Sequence, residues 1–367
     1  MLIDLLFLFA AIYAIQILLF AIGVRKATYS FDPTYRPSVS IIIAARNEEK
    51  NIRACLESIS HLTYPTERLE VVVVNDRSTD RTEEIISEFA RRCSFIRLLN
   101  ATEDPSGRLH GKANAITQGI ERSTGDILLF TDADCVVQRG WVEETVKYYN
   151  HPSVGLVAGF TALRSRTMFE AIQALDWFVL FSIAAGTIRL RFPVTAVGNN
   201  LSVRRSAYDA VGGYRSIPFS VTEDYALFHA VTRRAGYVAR LPIDPQTLVF
   251  SLPCETWREL FNQKKRWFSG GAGMDWKSIG LFAFGFTFKA LSVVTLAAGD
   301  FAPFLAAFAI KSAVDALLVA PTLSAFKARR LFLYLVPFEV YYIAYVLLFP
   351  PLVLFSRDVR WKDRRLR

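Results

Sequence analysis

Residues 2–24, LIDLLFLFAAIYAIQILLFAIGV, are apolar almost without interruption, with one charge, Asp4, near the start. A run of that length crosses about 30 Å of hydrocarbon as a helix. Arg25 and Lys26 follow it, whereas a cleaved secretory signal carries basic residues before its core and small residues after it. The pattern predicts a retained anchor with its downstream side in the cytosol. Three more apolar stretches come late in the chain, at 280–299, 301–321 and 331–355. Between anchor and tail the composition is that of an ordinary globular domain.

Within that middle region the pattern changes period. SVSIIIAA (38–45), LEVVVVND (69–76), FIRLLN (95–100) and DILLF (126–130) are short, apolar on both faces and rich in β-branched residues, as strands buried in a parallel sheet are. Between them lie NEEKNIRACLESIS (47–60), STDRTEEIISEFARRC (78–93) and GKANAITQGIERSTG (111–125). The first two have acidic residues in the first turn, and the second also has basic residues in the last, as helices do. Strand and helix in alternation predict an α/β domain with a mostly parallel, Rossmann-like sheet. In such sheets ligands bind beyond the carboxyl ends of the strands, which is where Arg46, Asn47, Asn75, Asp76, Asp132 and Asp134 fall. The stretch 165–190 is too mixed for a clear span and reads as an amphipathic helix near the membrane or under the domain.

Charge refines the picture. The net charge is +9, and much of the excess flanks apolar segments: Arg25 and Lys26, Lys327, Arg329 and Arg330, and the tail RDVRWKDRRLR. Juxtamembrane placement favours anionic headgroups over nucleic acid, or simply fixes topology. Cys55, Cys93, Cys135 and Cys254 show neither C-x-x-C spacing nor zinc-like pairing with histidine, so free thiols in a reduced compartment are expected.

The candidate chemistry begins with DILLFTDADC (126–135), an apolar strand ending in paired aspartates. On extended backbone Asp132 and Asp134 project to one side and address one hard cation or polar ligand together. Two nucleotide-binding alternatives fail. SGRLHGKA (106–113) has Ser106 and Ala113 where a P-loop needs Gly and Ser or Thr, and no G-x-G-x-x-G opens a helix. In FSVTEDYALF (219–228), Glu223 and Asp224 follow Thr222, a trio that helix capping explains by itself. In CETWRELFNQKKRWFSGG (254–271), helical spacing places Gln263, Arg266 and Trp267 near one face, which an interfacial helix also explains.

In order after SVSIIIAARNEE, the segments VVVVNDRSTD, FTDADC, TED and QKKRW resemble the motif series of the membrane-bound family 2 glycosyltransferases, which include ceramide glucosyltransferases and the cellulose and hyaluronan synthases. The resemblance covers roughly residues 38–271 and rests on four ordered motifs rather than one. It implies a GT-A fold and a nucleotide-sugar donor, UDP-linked by family preference. It assigns Asp76 to the base or ribose, with Ala45, Asn47 and Glu48 lining that pocket, and Lys112 and Arg266 to the diphosphate. Asp132 is expected to hold nucleotide and sugar, and Asp134 to ligate Mg²⁺ or Mn²⁺. Asp224 is implied as the catalytic base, and Glu223, Gln263 and Trp267 as acceptor-facing. GNNLSVRR (198–205) occupies the place of the acceptor-side segment.

The expected organisation is an anchor (1–27), a cytosolic GT-A domain with interfacial helices (28–275), C-terminal transmembrane helices (276–356) and a basic tail (357–367), in the bacterial inner membrane. With no spare carboxylate for a covalent intermediate, single displacement with inversion is expected, onto a membrane lipid or lipid-linked acceptor. A processive polysaccharide synthase is the alternative, though four apolar segments are few for a polymer channel. The other is an inactive membrane scaffold of the same fold, against which the intact acids argue. If all three late segments cross, the basic tail ends outside, so one of them is expected not to span, with Lys311 and Asp315 pairing inside the second or Pro337, Pro350 and Pro351 breaking the last.

Overall fold

The computed structural model describes residues 1–26, 29–194, 198–218, 220–270, 276–354, 359–361 and 364–366. The domain limits expected at 27, 275 and 356 lie outside these. The initial apolar run is one helix, α1 (Leu2–Arg25). The predicted alternation then appears as β1 (Val39–Ala45), α2 (Ile52–Ser60), β2 (Leu69–Asn75), α3 (Thr82–Arg92), β3 (Ile96–Asn100), α4 (Gly111–Glu121) and β4 (Ile127–Thr131). Helices α2 and α3 start later than the sequence pattern suggests. The preceding loops are stitched together instead: the Asn47 backbone N–H donates to Ser78 Oγ at 3.1 Å, and Thr79 N–H to Asn47 Oδ1 at 2.9 Å.

Beyond β4 come β5 (Val136–Val137), α5 (Trp141–Val146), β6 (Val154–Ala158), β7 (Thr161–Leu163), α6 (Met168–Arg189) and β8 (Asn200–Arg204). The short α7 (Arg205–Ala210) and α8 (Gly213–Ser216), then α9 (Glu223–His229), β9 (Val238–Arg240), β10 (Val249–Ser251) and α10 (Trp257–Gly270) complete the domain. A seven-stranded sheet runs β3-β2-β1-β4-β8-β6-β9, and β5-β10-β7 forms a second, smaller one. Strands β1 to β4 are parallel; β8 is antiparallel to both its neighbours.

Side-chain parity divides the central strands between two cores. Ile41, Ile43, Val71, Val73, Ile127 and Leu129 pack with Ile52 and Leu56 of α2 and Phe89 of α3. Ile42, Val72, Val74, Leu128 and Phe130 face the other way, into a cluster continuous with α4, α1 and α6. The domain therefore shares one core with the long helices.

Those helices are α1, α6, α11 (Trp276–Ala297), α12 (Phe301–Ala325) and α13 (Leu335–Leu354). Five helical segments are long and apolar enough to cross a membrane: Leu2–Arg25, Met168–Arg189, Ser278–Ala297, Phe301–Ala325 and Arg329–Val353. The stretch expected to be amphipathic, 165–190, is corrected: α6 is buried on nearly every side, with Phe181, Ser182, Ala184 and Ala185 at zero exposure, because α1, α12 and α13 all pack on it. A capping box starts it, Thr167 Oγ1 accepting from Glu170 N–H while Glu170 accepts from Thr167 N–H. Where α1 crosses α6 the backbones nearly touch, and a Cβ on Gly23 would lie 2.4 Å from the Gly186 carbonyl oxygen. Only glycine permits that approach.

The expected break in the last apolar segment does not occur. Pro337 sits in the first turn of α13, where its missing N–H costs nothing, and the helix continues past Pro350 and Pro351 to Leu354. The Lys311–Asp315 pair does form, at 2.8 Å within α12. Glu339 of α13 closes on the same ammonium, and Tyr13 of α1 donates to Asp315 at 2.7 Å. In the tail, β11 (Val359–Trp361) and β12 (Arg364–Leu366) pair antiparallel, and β11 packs against α10.

Candidate functional site

The carboxyl ends of β1 and β4, the N-termini of α4 and α9, and one side of α10 enclose a cleft of about 850 Å³. Its walls include Arg46, Glu48, Lys112, Asp132, Asp134, Glu223, Asp224, Gln263, Arg266 and Trp267. Residues from 46 to 267 thus meet in one place, as the motif series requires.

At the centre is Lys112, the second residue of α4. Its ammonium lies 2.6 Å from Asp132 and 3.1 Å from Glu223. Burial works against the lysine's charge, but these carboxylates outweigh it and raise its pKa. Asp224 stands beside them at the start of α9. Burial, then the neighbouring Glu223, push its carboxyl up to about 6, while Lys112 and hydrogen bonds from Tyr225 and Gly198 pull the other way. Those bonds are 2.8 Å to Oδ1 and 2.5 Å to Oδ2. Gly198 is required by closeness: a Cβ there would meet the Asp224 Cβ at 2.5 Å. Thr222 is the N-cap residue of α9 and both acids lie in its first turn, as capping requires, but Thr222 makes no side-chain bond to the helix.

Three expected donor-site residues are not on the cleft wall. Parity turns Ala45 into the core, 1% exposed, and Ala44 and Arg46 line the cleft instead. Asn47 is spent joining the β1 and β2 loops. Asp76, also 1% exposed, is held at the crest by its backbone: its N–H donates to Ala45 O at 2.8 Å, and Arg46 donates to its carbonyl at 2.7 Å.

The sequence reading missed other wall residues, among them His110, Trp177, Cys254 and Arg258. Of the expected acceptor-side segment 198–205, Gly198 and Asn199 reach the cleft. Trp177 comes from α6, the stretch expected to be an amphipathic helix near the membrane or under the domain.

The donor set admits a divalent cation in one particular way. Asp132, Asp134, Glu223 and Asp224 are among the carboxylates that line one cleft, yet no group of three His, Cys, Asp or Glu side chains suited to a metal occurs among the described residues. Hard cations of the Mg²⁺ type are commonly held by one or two carboxylates, waters and substrate phosphates. A cation arriving with a diphosphate fits; a permanent all-protein site does not.

The architecture has known counterparts. A mannosyltransferase from Pyrobaculum calidifontis, solved with GDP-Man and Mn²⁺, superposes with a TM-score of 0.59 at 20% identity, covering 93% of this chain and 99% of that one; at that identity the likeness concerns the fold. In sequence, the beta-monoglucosyldiacylglycerol synthase of Synechocystis is 29% identical over 246 residues, 64% of this chain and 48% of that protein. The poly-beta-1,6-N-acetyl-D-glucosamine synthase of Staphylococcus aureus is 27% identical over 235 residues, 64% of this chain and 54% of that protein. The chain thus spans about half the length of these curated relatives. The profile of Glycosyl transferase family 2 matches residues 40–225, from β1 through Asp132, Asp134 and Asp224, and the protein belongs to that family.

Proposed function

We propose that the protein is an inverting, metal-dependent glycosyltransferase that moves a sugar from a nucleotide-sugar, UDP-linked in the first instance, to a membrane lipid or lipid-linked acceptor at the cytosolic face of the bacterial inner membrane. The observation that carries this reading is that the Asp224 carboxyl, whose pKa burial and Glu223 raise, shares one cleft with Lys112, Asp132, Asp134, Arg266 and Trp267.

Asp224 accepts the proton of the acceptor hydroxyl as that oxygen attacks the anomeric carbon, and a base with this pKa is ionised at neutral pH yet basic enough to help. Lys112 and Arg266 stabilise the charge that develops on the departing diphosphate. Asp134 would hold Mg²⁺ or Mn²⁺, which when bound would add to the neutralisation of the leaving group. Asp132 and Glu48 orient nucleotide and sugar, with Ala45, Asn47 and Asp76 fixing the loop beneath. Glu223, Gln263 and Trp267 face the acceptor. Long apolar helices beside the α10 wall favour a lipid, whose head enters while its chains stay in hydrocarbon.

Likeness to a diacylglycerol-glycoside synthase supports the lipid reading, and likeness to a polymer synthase favours the processive one. The test offers purified protein a panel of nucleotide-sugars with membrane lipids and Mn²⁺ and weighs the product by mass spectrometry. A singly glycosylated lipid is expected; a ladder of sugar units establishes the polymerase instead, and no product with any donor refutes both.

A further inference from the structure

One face of α6 backs the acceptor-side wall and reaches it at Trp177. Gln173, Asp176 and Trp177 of α6, at spacings of three and four, share one helix face and are all under 8% exposed. Each grips the segment that carries Gln263, Arg266 and Trp267. Gln173 takes the Cys254 backbone at both ends, its Nε2 donating to the carbonyl at 3.0 Å and its Oε1 accepting from the N–H at 2.8 Å. Asp176 forms a buried ion pair with Lys264 of α10. The Trp177 ring packs 5.7 Å from that of Trp267. Lys264 in turn lies over two rings, 4.6 Å from Trp267 and 5.0 Å from Tyr345 of α13.

Trp177 and Trp267 belong to the cleft wall; Asp176 and Lys264 do not. We propose that this face of α6 is a positioning element for the acceptor side of the cleft, with Asp176 and Lys264 as its positioning residues and Trp177 as a further residue that touches the acceptor.

The physical argument concerns rotation. On a helix a slip of one residue turns a side chain by about 100°, which would carry Arg266 and Trp267 off the wall. Apolar contacts such as Phe261 and Phe268 against Phe349 fix the distance between α10 and α13 but tolerate turning. A buried ion pair does not, since either charge alone in that place is strongly disfavoured. The Lys264 ammonium also holds the Trp267 ring by its face. The inference rests on the reading of residues 263–267 as the acceptor side, so its test includes a measurement that needs no acceptor.

Two variants of the full-length protein in detergent or nanodiscs decide it. Asp176→Asn leaves Lys264 unpaired, and amide hydrogen exchange over 254–270 is expected to quicken about tenfold or more while exchange in β1 to β4 stays unchanged. The paired replacement Asp176→Leu with Lys264→Met keeps the volume apolar and folded, so thermal stability and affinity for UDP with Mn²⁺ should match wild type. Its transfer from radiolabelled UDP-glucose into vesicles of diacylglycerol and polyprenyl phosphate should fall by about 10- to 100-fold, chiefly through acceptor KM. Unchanged exchange in Asp176→Asn overturns the grip. Wild-type acceptor kinetics in a folded paired variant overturns the positioning role. If the wild-type protein transfers nothing into these vesicles from any donor of the panel, the acceptor proposed above is wrong, and hydrogen exchange alone judges the clasp.

Discussion

Two lysines in this protein each stand between two carboxylates, and their surroundings set them apart. Lys112, between Asp132 and Glu223, opens onto the cleft with 22% of its side chain exposed. Lys311, between Asp315 and Glu339, has 1% exposed and joins α12 to α13, with Tyr13 of α1 bonded to Asp315 and the buried Lys289 of α11 over the Tyr13 ring. Near solvent, carboxylates can be exchanged for a ligand's phosphates at little net cost. In the sealed bundle nothing can replace them, so the same set of charges fixes helix register instead. The chemistry of a charged cluster follows from what can reach it rather than from which residues compose it.

The largest break between the two sites is expected at Asp224. Asp224→Asn should lower transfer by about 10²- to 10⁴-fold while leaving UDP–Mn²⁺ binding intact, measured by product formation beside calorimetry. Full turnover in this variant would remove the base assignment. In the bundle, Lys311→Met strands two buried carboxylates and should cost about 3–5 kcal/mol, read as a lower unfolding temperature in detergent. The apolar triple variant Lys311→Met, Asp315→Leu and Glu339→Leu should recover that loss. If the triple variant binds no nucleotide or stays as unstable as the single one, the sealed cluster is more than a register device.

Lys112→Met tests the other side of the comparison. It should weaken nucleotide binding by about 10- to 100-fold, the worth of a hydrogen bond to a charged group, with a much smaller effect on unfolding than Lys311→Met. Equal destabilisation by the two would erase the distinction. The gentlest probe is pH. Asp224 must be ionised to accept a proton, and its carboxyl is raised to about 6, so kcat/KM should fall as pH drops through that value and level off above it. An acid limb at the ordinary carboxylate pKa would show that burial and Glu223 do not set the base.

Much of the site was legible because its residues sit where local pattern turns into loop or helix start. Asp132 and Asp134 end an apolar strand, Lys112 opens a helix after a glycine, and Asp224 opens another. The shortfall lies in facing. Ala45 and Ala44 are indistinguishable in sequence, but the parity of β1 sends one inward and the other to the cleft. Asp76 reads as a ligand at the crest, yet its side chain is buried. Trp177 and Asp176 were hidden because 165–190 read as an amphipathic helix, whereas α6 is packed on nearly every side and its spacing singles out neither the cleft nor the clasp.

Taken alone, the sequence determined the alternation of strand and helix, the apolar lengths of α1, α11, α12 and α13, and the order of the motif residues, since each depends on neighbours within a few positions. Only the tertiary structure decided that α6 is a buried pillar, that Glu339 closes on Lys311, 28 residues before it, and that the carboxylates at 132 and 223 share one lysine. Those outcomes depend on which faces meet across the fold, and electrostatic and packing energies between distant segments are fixed by three-dimensional distance rather than by position along the chain.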